Sequence, residues 1–283
     1  MKVTEAVAQT RSRPVVIADF SPPRGGDPAL LTDASKLDVD FVCVAYNPGK
    51  AVRIDSATAA WSIGQNTGRG TVFNLSPRDM NKLALQSRVL GAQAMGLDNV
   101  LVLQGDPVSE RDGFTAVSEL TASQLIASIA AMNEGTDFKG SRLRVPTDFC
   151  IGAAADLARG VAREAALTHR KVTAGVDFLV TQPVFDAADI AAFREAFAAA
   201  AGEELGIPIF WGLQVLIADG VIFSSVPQSV RDDLERGRDG VDIALEAYGR
   251  LLEFGVDGVY LVSPIMRGGA RDYDAAARFM ASI

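Results

Sequence analysis

A single (β/α)8 barrel, the TIM fold, is the architecture this 283-residue sequence predicts, on three observations. Eight short apolar runs recur along the chain, each is followed by a helix-type pattern, and the runs are apolar throughout instead of alternating. Strands apolar on both faces suit a parallel sheet covered on its outer side. Eight βα units within this length are what a closed barrel requires, whereas a doubly wound sheet would show fewer units or a second domain. One domain spanning residues 1–283 is therefore expected.

In chain order, VVIADF (15–20) leads to a helical stretch at DPALLTDASKL, and DFVCVAY (40–46) to TAAWSIGQ. TVFNL (71–75) precedes the longest helical pattern, PRDMNKLALQSRVLGAQAMG, and NVLVLQG (99–105) precedes a polar loop and ASQLIASIAAMNEG. DFCIGAAA (148–155) is paired with REAALTHRKVTAG, and DFLVTQP (177–183) with DIAAFREAFAAAAGEEL. PIFWGLQV (208–215) is paired with VDIALEAYGRLLEFG, and GVYLVSP (258–264) with YDAAARFMASI. Gly96, Gly175, Gly206 and Gly255 stand before strands, where helix C-caps and αβ turns favour glycine.

Composition narrows the function. With 48% hydrophobic and 22% charged residues the chain reads as globular, and its net charge of −8 argues against a nucleic-acid partner. The polar start MKVTEAVAQTRSRP lacks the apolar core of a signal peptide, and no run has the roughly 18 apolar residues of a membrane span, so a cytoplasmic protein is expected. Cys43 and Cys150 sit in apolar runs and read as buried thiols. A single histidine, His169, excludes a multi-histidine zinc site and argues against a Ser-His-Asp triad. No metal is expected. The chemistry falls to carboxylates, amides, backbone groups or a bound cofactor.

A barrel carries its site at the C-terminal strand ends. Those ends offer Asp19, Tyr46-Asn47, Asn74 with Ser76, Gln104 with Asp106, Asp156, Thr181-Gln182, Gln214, and Ser263 with Arg267 beyond it. Such a crown of hydrogen-bonding groups suits a polar, planar, multi-ring ligand. Each residue also has a plainer reading. Asp106, before Pro107, serves equally as a turn cap; Asp19 as an ion-pair partner of Arg24; Gln182 as an amide satisfying backbone; Arg170-Lys171 as a solvated helix face.

Four segments, FSPPRGGDP (20–28), residues 76–107 ending in LQGDP, RKVTAGVDFLVTQPVFD (170–186) and GVYLVSP (258–264), together resemble the methylenetetrahydrofolate reductase family. The likeness is closest to the reductase modules fused to bacterial homocysteine methyltransferases, and it runs through most of the chain. It implies reduction of 5,10-methylenetetrahydrofolate to 5-methyltetrahydrofolate, with hydride from NAD(P)H passing through FAD. FMN, or no flavin at all, are the alternatives, as is a non-catalytic folate- or flavin-binding barrel within a larger complex. A tetrahydropterin-dependent methyltransferase barrel, with no redox cofactor, is a further rival.

By the resemblance, Asp19 occupies the position of the family's catalytic glutamate, and Asp106 faces both pterin and cofactor. Gln182 and Phe223 would contact the substrate ring. Asn74, Gln104, Gly105, Asp106, Ala154, Asp156, Arg170 and Lys171 would line the flavin. The partner would be a tetrahydrofolate-type small molecule, with a homo-oligomer or a methyltransferase complex left open. There are departures. Asp19 is one methylene shorter than glutamate, drawing the carboxyl back by roughly 1 Å, which can cost on the order of 100-fold in rate. Ala45, Asn74 and Gln104 stand where the family usually has Thr, His and Arg, and WGLQVLIADG replaces a proline-bearing segment.

Overall fold

The computed structural model describes residues 1–9, 12–186, 188–222 and 226–283. Eight parallel strands close into a barrel in sequential order: β1 (Val15–Phe20), β2 (Phe41–Val44), β3 (Gly70–Leu75), β4 (Asn99–Val102), β5 (Cys150–Ala155), β6 (Phe178–Pro183), β7 (Ile209–Gln214) and β8 (Gly258–Val262). Every apolar run read from the sequence is a strand. The TIM-barrel expectation is met.

The helices are α1 (Val3–Val7), α2 (Ser56–Thr67), α3 (Lys82–Ala94), α4 (Ala122–Asn133), α5 (Val161–Thr173), α6 (Ala188–Ala201), α7 (Gln228–Glu235), α8 (Gly240–Glu253) and α9 (Tyr273–Met280). Two expectations are corrected. The stretch after β1 is a 3₁₀ helix, Pro28–Lys36, started by the Asp27 side chain accepting from Ala29 N. The long pattern from Pro77 becomes helical only at Lys82, because Asn81 caps it by accepting from Ala84 N at 2.9 Å. Helices α1 and α7 have no counterpart in the sequence reading.

Two apolar layers follow from the strand period of two. Outward residues such as Val16, Ala18, Val42, Phe73 and Leu261 pack against the helices. Inward residues Val15, Ile17, Phe41, Cys43, Val72, Leu101, Cys150, Phe178 and Phe210 fill the barrel. Space inside is matched pairwise: Phe41, Phe178 and Phe210 each lie beside a glycine of the neighbouring strand, Gly70, Gly152 and Gly258. A β-carbon on any of these glycines would meet the ring at 2.6 Å or less.

Helix α1 closes the N-terminal end of the barrel. Val3 and Ala6 join the interior cluster, and Asn99 anchors the segment by accepting from Val3 N and donating to Met1 O and Thr71 O. With that end sealed, the opposite mouth is where a ligand reaches the interior. No helix among the described residues is long and apolar enough to cross a membrane.

Candidate active site

Asp19 is the last inward residue of β1, in register with Cys43 of β2, and is 7% exposed. Its Oδ1 accepts from the Tyr260 hydroxyl at 3.3 Å, and its Oδ2 accepts from Arg271 Nε at 3.3 Å and Nη2 at 3.2 Å. Tyr260 in turn lies beside Cys43, whose thiol donates to Asn74 Oδ1 at 3.1 Å. A buried polar path thus runs from Arg271 through Asp19, Tyr260 and Cys43 to Asn74. Burial pushes the Tyr260 phenol far above its ordinary value, and the neighbouring Cys43 and Asp19 push the same way. Burial likewise raises the Cys43 thiol, with the Asp19 charge adding to it. Both groups stay protonated at neutral pH and act as donors.

The ion-pair partner found for Asp19 is Arg271, from the loop after β8, instead of the expected Arg24. Sequence reading missed Arg271 and Tyr260 altogether. The only available signal was the inward phase of Tyr260 in β8, two residues before Val262.

At the β4 end, Gly105 adopts φ +78 and a β-carbon there would meet Ser76 Oγ at 2.7 Å, so this turn requires glycine. It carries Asp106 outward into solvent. Among the described residues no hydrogen bond ties the Asp106 carboxylate to its own turn, unlike the plainer reading of it as a cap. Gln104 is otherwise engaged: its Oε1 accepts from Ala122 N at the start of α4 at 2.7 Å.

Gln182 stands at a shift in register between β6 and β7, a device that re-aims a side chain at a barrel rim. The neighbouring Gly212 is forced by close approach, since a β-carbon would sit 2.5 Å from the Gln182 carbonyl carbon. Gln182 lines a cleft of about 340 Å³ together with Asp156, Pro183, Phe185, Asp186 and Asp189. Asp156 also caps the short 3₁₀ turn after β5 and pairs with Arg159 at 2.9 Å. Phe223 lies outside the described residues.

The residues expected to hold a flavin diphosphate do not fit that task. Lys171 is 5% exposed, and its ammonium donates to Glu164 Oε1 at 2.9 Å and to Ala154 O at 2.6 Å. Those contacts occupy the lysine and turn it inward between α5 and β5. Arg170, one position along the helix, is exposed and lies off the buried face. Asn74 Oδ1 accepts from the Cys43 thiol. Asp19, Asp106 and Gln182 rim one mouth, while the Arg170-Lys171 pair does not present a cationic grip there.

A sequence model described as "Methylenetetrahydrofolate reductase" matches residues 3–263. Methylenetetrahydrofolate reductase 1 of Schizosaccharomyces pombe is 28% identical over 208 residues, 66% of this chain and 32% of that protein, so the chain spans about a third of this curated relative's length. Among solved structures, an uncharacterized Clostridium thermocellum protein that binds two copies of 5-methyl-5,6,7,8-tetrahydrofolic acid superposes with TM-score 0.68 at 14% identity, over 94% of this chain and 93% of that one. A 2,3-dimethylmalate lyase of the PEP mutase/isocitrate lyase superfamily superposes with TM-score 0.56 at 10% identity, covering 92% and 77% respectively. At such identities these two structures bear on the fold alone. The match to the family model spans nearly the whole barrel, from the sealing helix α1 to the end of β8, and on it the chain belongs to the methylenetetrahydrofolate reductase family.

Proposed function

We propose that this barrel reduces the methylene bridge of a 5,10-methylenetetrahydrofolate to a 5-methyl group, with Asp19 as the proton carrier. The observation that carries this reading is the placement of Asp19, a buried inward carboxylate at the mouth held from two sides. The family match and the tetrahydrofolate bound by the Clostridium thermocellum protein support the substrate class.

The reaction needs two events. The bond from the bridging carbon to N10 breaks while N10 takes a proton, leaving a cationic iminium at N5; a hydride then adds to that carbon. The first event calls for a positioned acid and the second for negative charge near the iminium. Asp19 serves as the acid after taking up a proton from solvent at the mouth and passing it to N10, with Tyr260 as a neutral donor against its Oδ1. Asp106, unattached to its own turn, supplies the charge. Gln182, aimed at the cleft by the register shift, orients the flat ring.

We read the hydride as passing directly from NAD(P)H, and the sequestration of Lys171 by Glu164 and Ala154 O supports this over a flavin gripped in the family's usual manner. The test is an anaerobic assay on protein freed of flavin. Consumption of NADH or NADPH that requires methylenetetrahydrofolate and yields the 5-methyl product is expected. A strict requirement for added flavin would overturn direct transfer while sparing the reductase reading. No consumption with or without flavin would overturn both.

A further inference from the structure

The register shift that aims Gln182 is built from three consecutive residues, Thr181, Gln182 and Pro183. Up to Val180 the ladder between β6 and β7 is regular: Leu179 pairs with Ile209, Val180 pairs with Phe210, and Leu179 N donates to Pro208 O at 2.9 Å. Continued in that phase, Gly212 N would donate to the main-chain oxygen of Thr181, and residue 183 would donate to Gly212 O. Residue 183 is proline and has no N–H to give. The donor to Gly212 O is instead Val184 N, one residue late, at 2.9 Å. Pro183 thereby stands opposite Gly212, the place a regular ladder would give Gln182.

The other half of the closure comes from a side chain. Gly212 N donates to the Thr181 hydroxyl oxygen at 2.8 Å, where a regular ladder would use a main-chain carbonyl. Thr181 is 2% exposed and does not line the cleft that Gln182 lines. A buried N–H without an acceptor is costly, so the hydroxyl is what lets the extra residue enter β6 without orphaning Gly212. Packing beyond the bulge agrees. Counted in twos from the inward Val180, Val184 would point into the barrel, yet it belongs to the outer layer with Ile190 and Phe193 of α6. Strand β7 also passes so close that a β-carbon at Gly212 would lie 2.6 Å from the carbonyl oxygens of both Thr181 and Gln182.

We infer that Thr181 is a positioning residue: its hydroxyl, standing in for a main-chain acceptor, fixes the bulge that holds the Gln182 side chain at the cleft. This deepens the proposed reductase reading and rests on it only for the ring that Gln182 touches. Thr181 acts through Gln182 and not on the ligand. Valine keeps the branched shape of threonine but offers Gly212 N no acceptor. The ladder is then free to close on the main-chain oxygen of residue 181 and to draw Gln182 out of place. Serine keeps the acceptor and the bulge.

The test is a double-mutant cycle read by equilibrium binding of 5-methyltetrahydrofolate to wild type, Thr181→Val, Thr181→Ser, Gln182→Ala and the double variant Thr181→Val with Gln182→Ala. Thr181→Val is expected to weaken binding about tenfold, and Thr181→Ser to stay within about threefold of wild type. In the Gln182→Ala background, Thr181→Val should add less than about twofold. A lowered melting temperature of Thr181→Val with unchanged affinity overturns the inference, as does equal weakening in both backgrounds. The NMR resonance of the Gln182 side-chain amide, recorded without ligand, decides the matter independently of the substrate. It is expected to shift in Thr181→Val and to return to its wild-type position in Thr181→Ser; an unmoved resonance in the valine variant overturns the inference. Should Thr181→Val fail to fold, Pro183→Ala takes its place: it restores an N–H to the regular ladder, which then competes with the Thr181 bond, and the same resonance must move. If wild type binds no 5-methyltetrahydrofolate, the reductase reading falls while the amide resonance still supports or overturns the role of Thr181.

Discussion

Arg271 holds Asp19 by a single oxygen, Oδ2, with Nε at 3.3 Å and Nη2 at 3.2 Å, and leaves Oδ1 to the Tyr260 hydroxyl. The grip fixes the carboxyl from the β8 side while both contacts come from residues some 241 and 252 positions away in sequence. A carboxylate on so short a side chain has little reach but also few rotamers to lose, and two fixed partners remove most of those. Replacing the carboxyl by an amide keeps the shape and removes the acid. Asp19→Asn is expected to lower kcat by about 100-fold or more with binding of 5-methyltetrahydrofolate little changed. Steady-state kinetics beside a ligand titration check this; near wild-type turnover would remove Asp19 from the chemistry.

Tyr260 touches that same carboxyl, and its raised phenol keeps the proton through the neutral and mildly alkaline range. The hydroxyl therefore remains a donor wherever the reaction is measured. Tyr260→Phe keeps the ring in the interior cluster and deletes one hydrogen bond to a charged group, which corresponds to about 10-fold in kcat. A lowered melting temperature with an unchanged kcat would assign Tyr260 a packing role instead.

How far the sequence carries depends on the range of the interaction. Strands such as VVIADF and DFLVTQP were readable because burial on both faces writes an uninterrupted apolar run, and the Gly105 turn because its backbone excludes a side chain. The 3₁₀ geometry at Pro28–Lys36 was not readable, since helical composition does not distinguish the two helix types over so short a span. Partnership was the least legible feature. Arg271 belongs to a polar loop and meets Asp19 only because barrel closure pairs β8 with β1. The Lys171 contact was within reach: Glu164 lies seven residues earlier on the same helix face, a spacing that puts two charges on one stripe.

That buried pair has a direct consequence for stability. Lys171 and Glu164 are 5% and 3% exposed, and the ammonium also serves the Ala154 carbonyl, so removing the lysine leaves a carboxylate and a carbonyl without their partner. Lys171→Met is expected to destabilise the barrel by about 3–5 kcal/mol. The double variant Glu164→Leu with Lys171→Met removes both charges and should recover most of that loss. Urea denaturation of the single and double variants decides the matter; an unchanged midpoint in the single variant would mean the pair contributes nothing to folding.

The turn bearing Asp106 is clasped from below by Lys50, whose ammonium donates to Pro107 O at 3.0 Å and to Asp112 Oδ2 at 2.8 Å. The Lys50 hydrogen bond holds the Asp112 carboxyl down at about 2, helped by the Ser109 N–H and hydroxyl, against an ordinary 3.8. Because the folded value is the lower one, the clasp is fully formed above 3.8 and is lost as pH falls through about 2. The Ser109 amide, which donates to Asp112 Oδ2 at 2.7 Å, reports this directly. Its NMR shift is expected to titrate with a midpoint near 2 in the wild type, higher in Lys50→Met, and not at all in Asp112→Asn. A wild-type midpoint near 3.8 would show that Lys50 does not hold the loop, and the position of Asp106 over the mouth would then have to rest on the Gly105 turn alone.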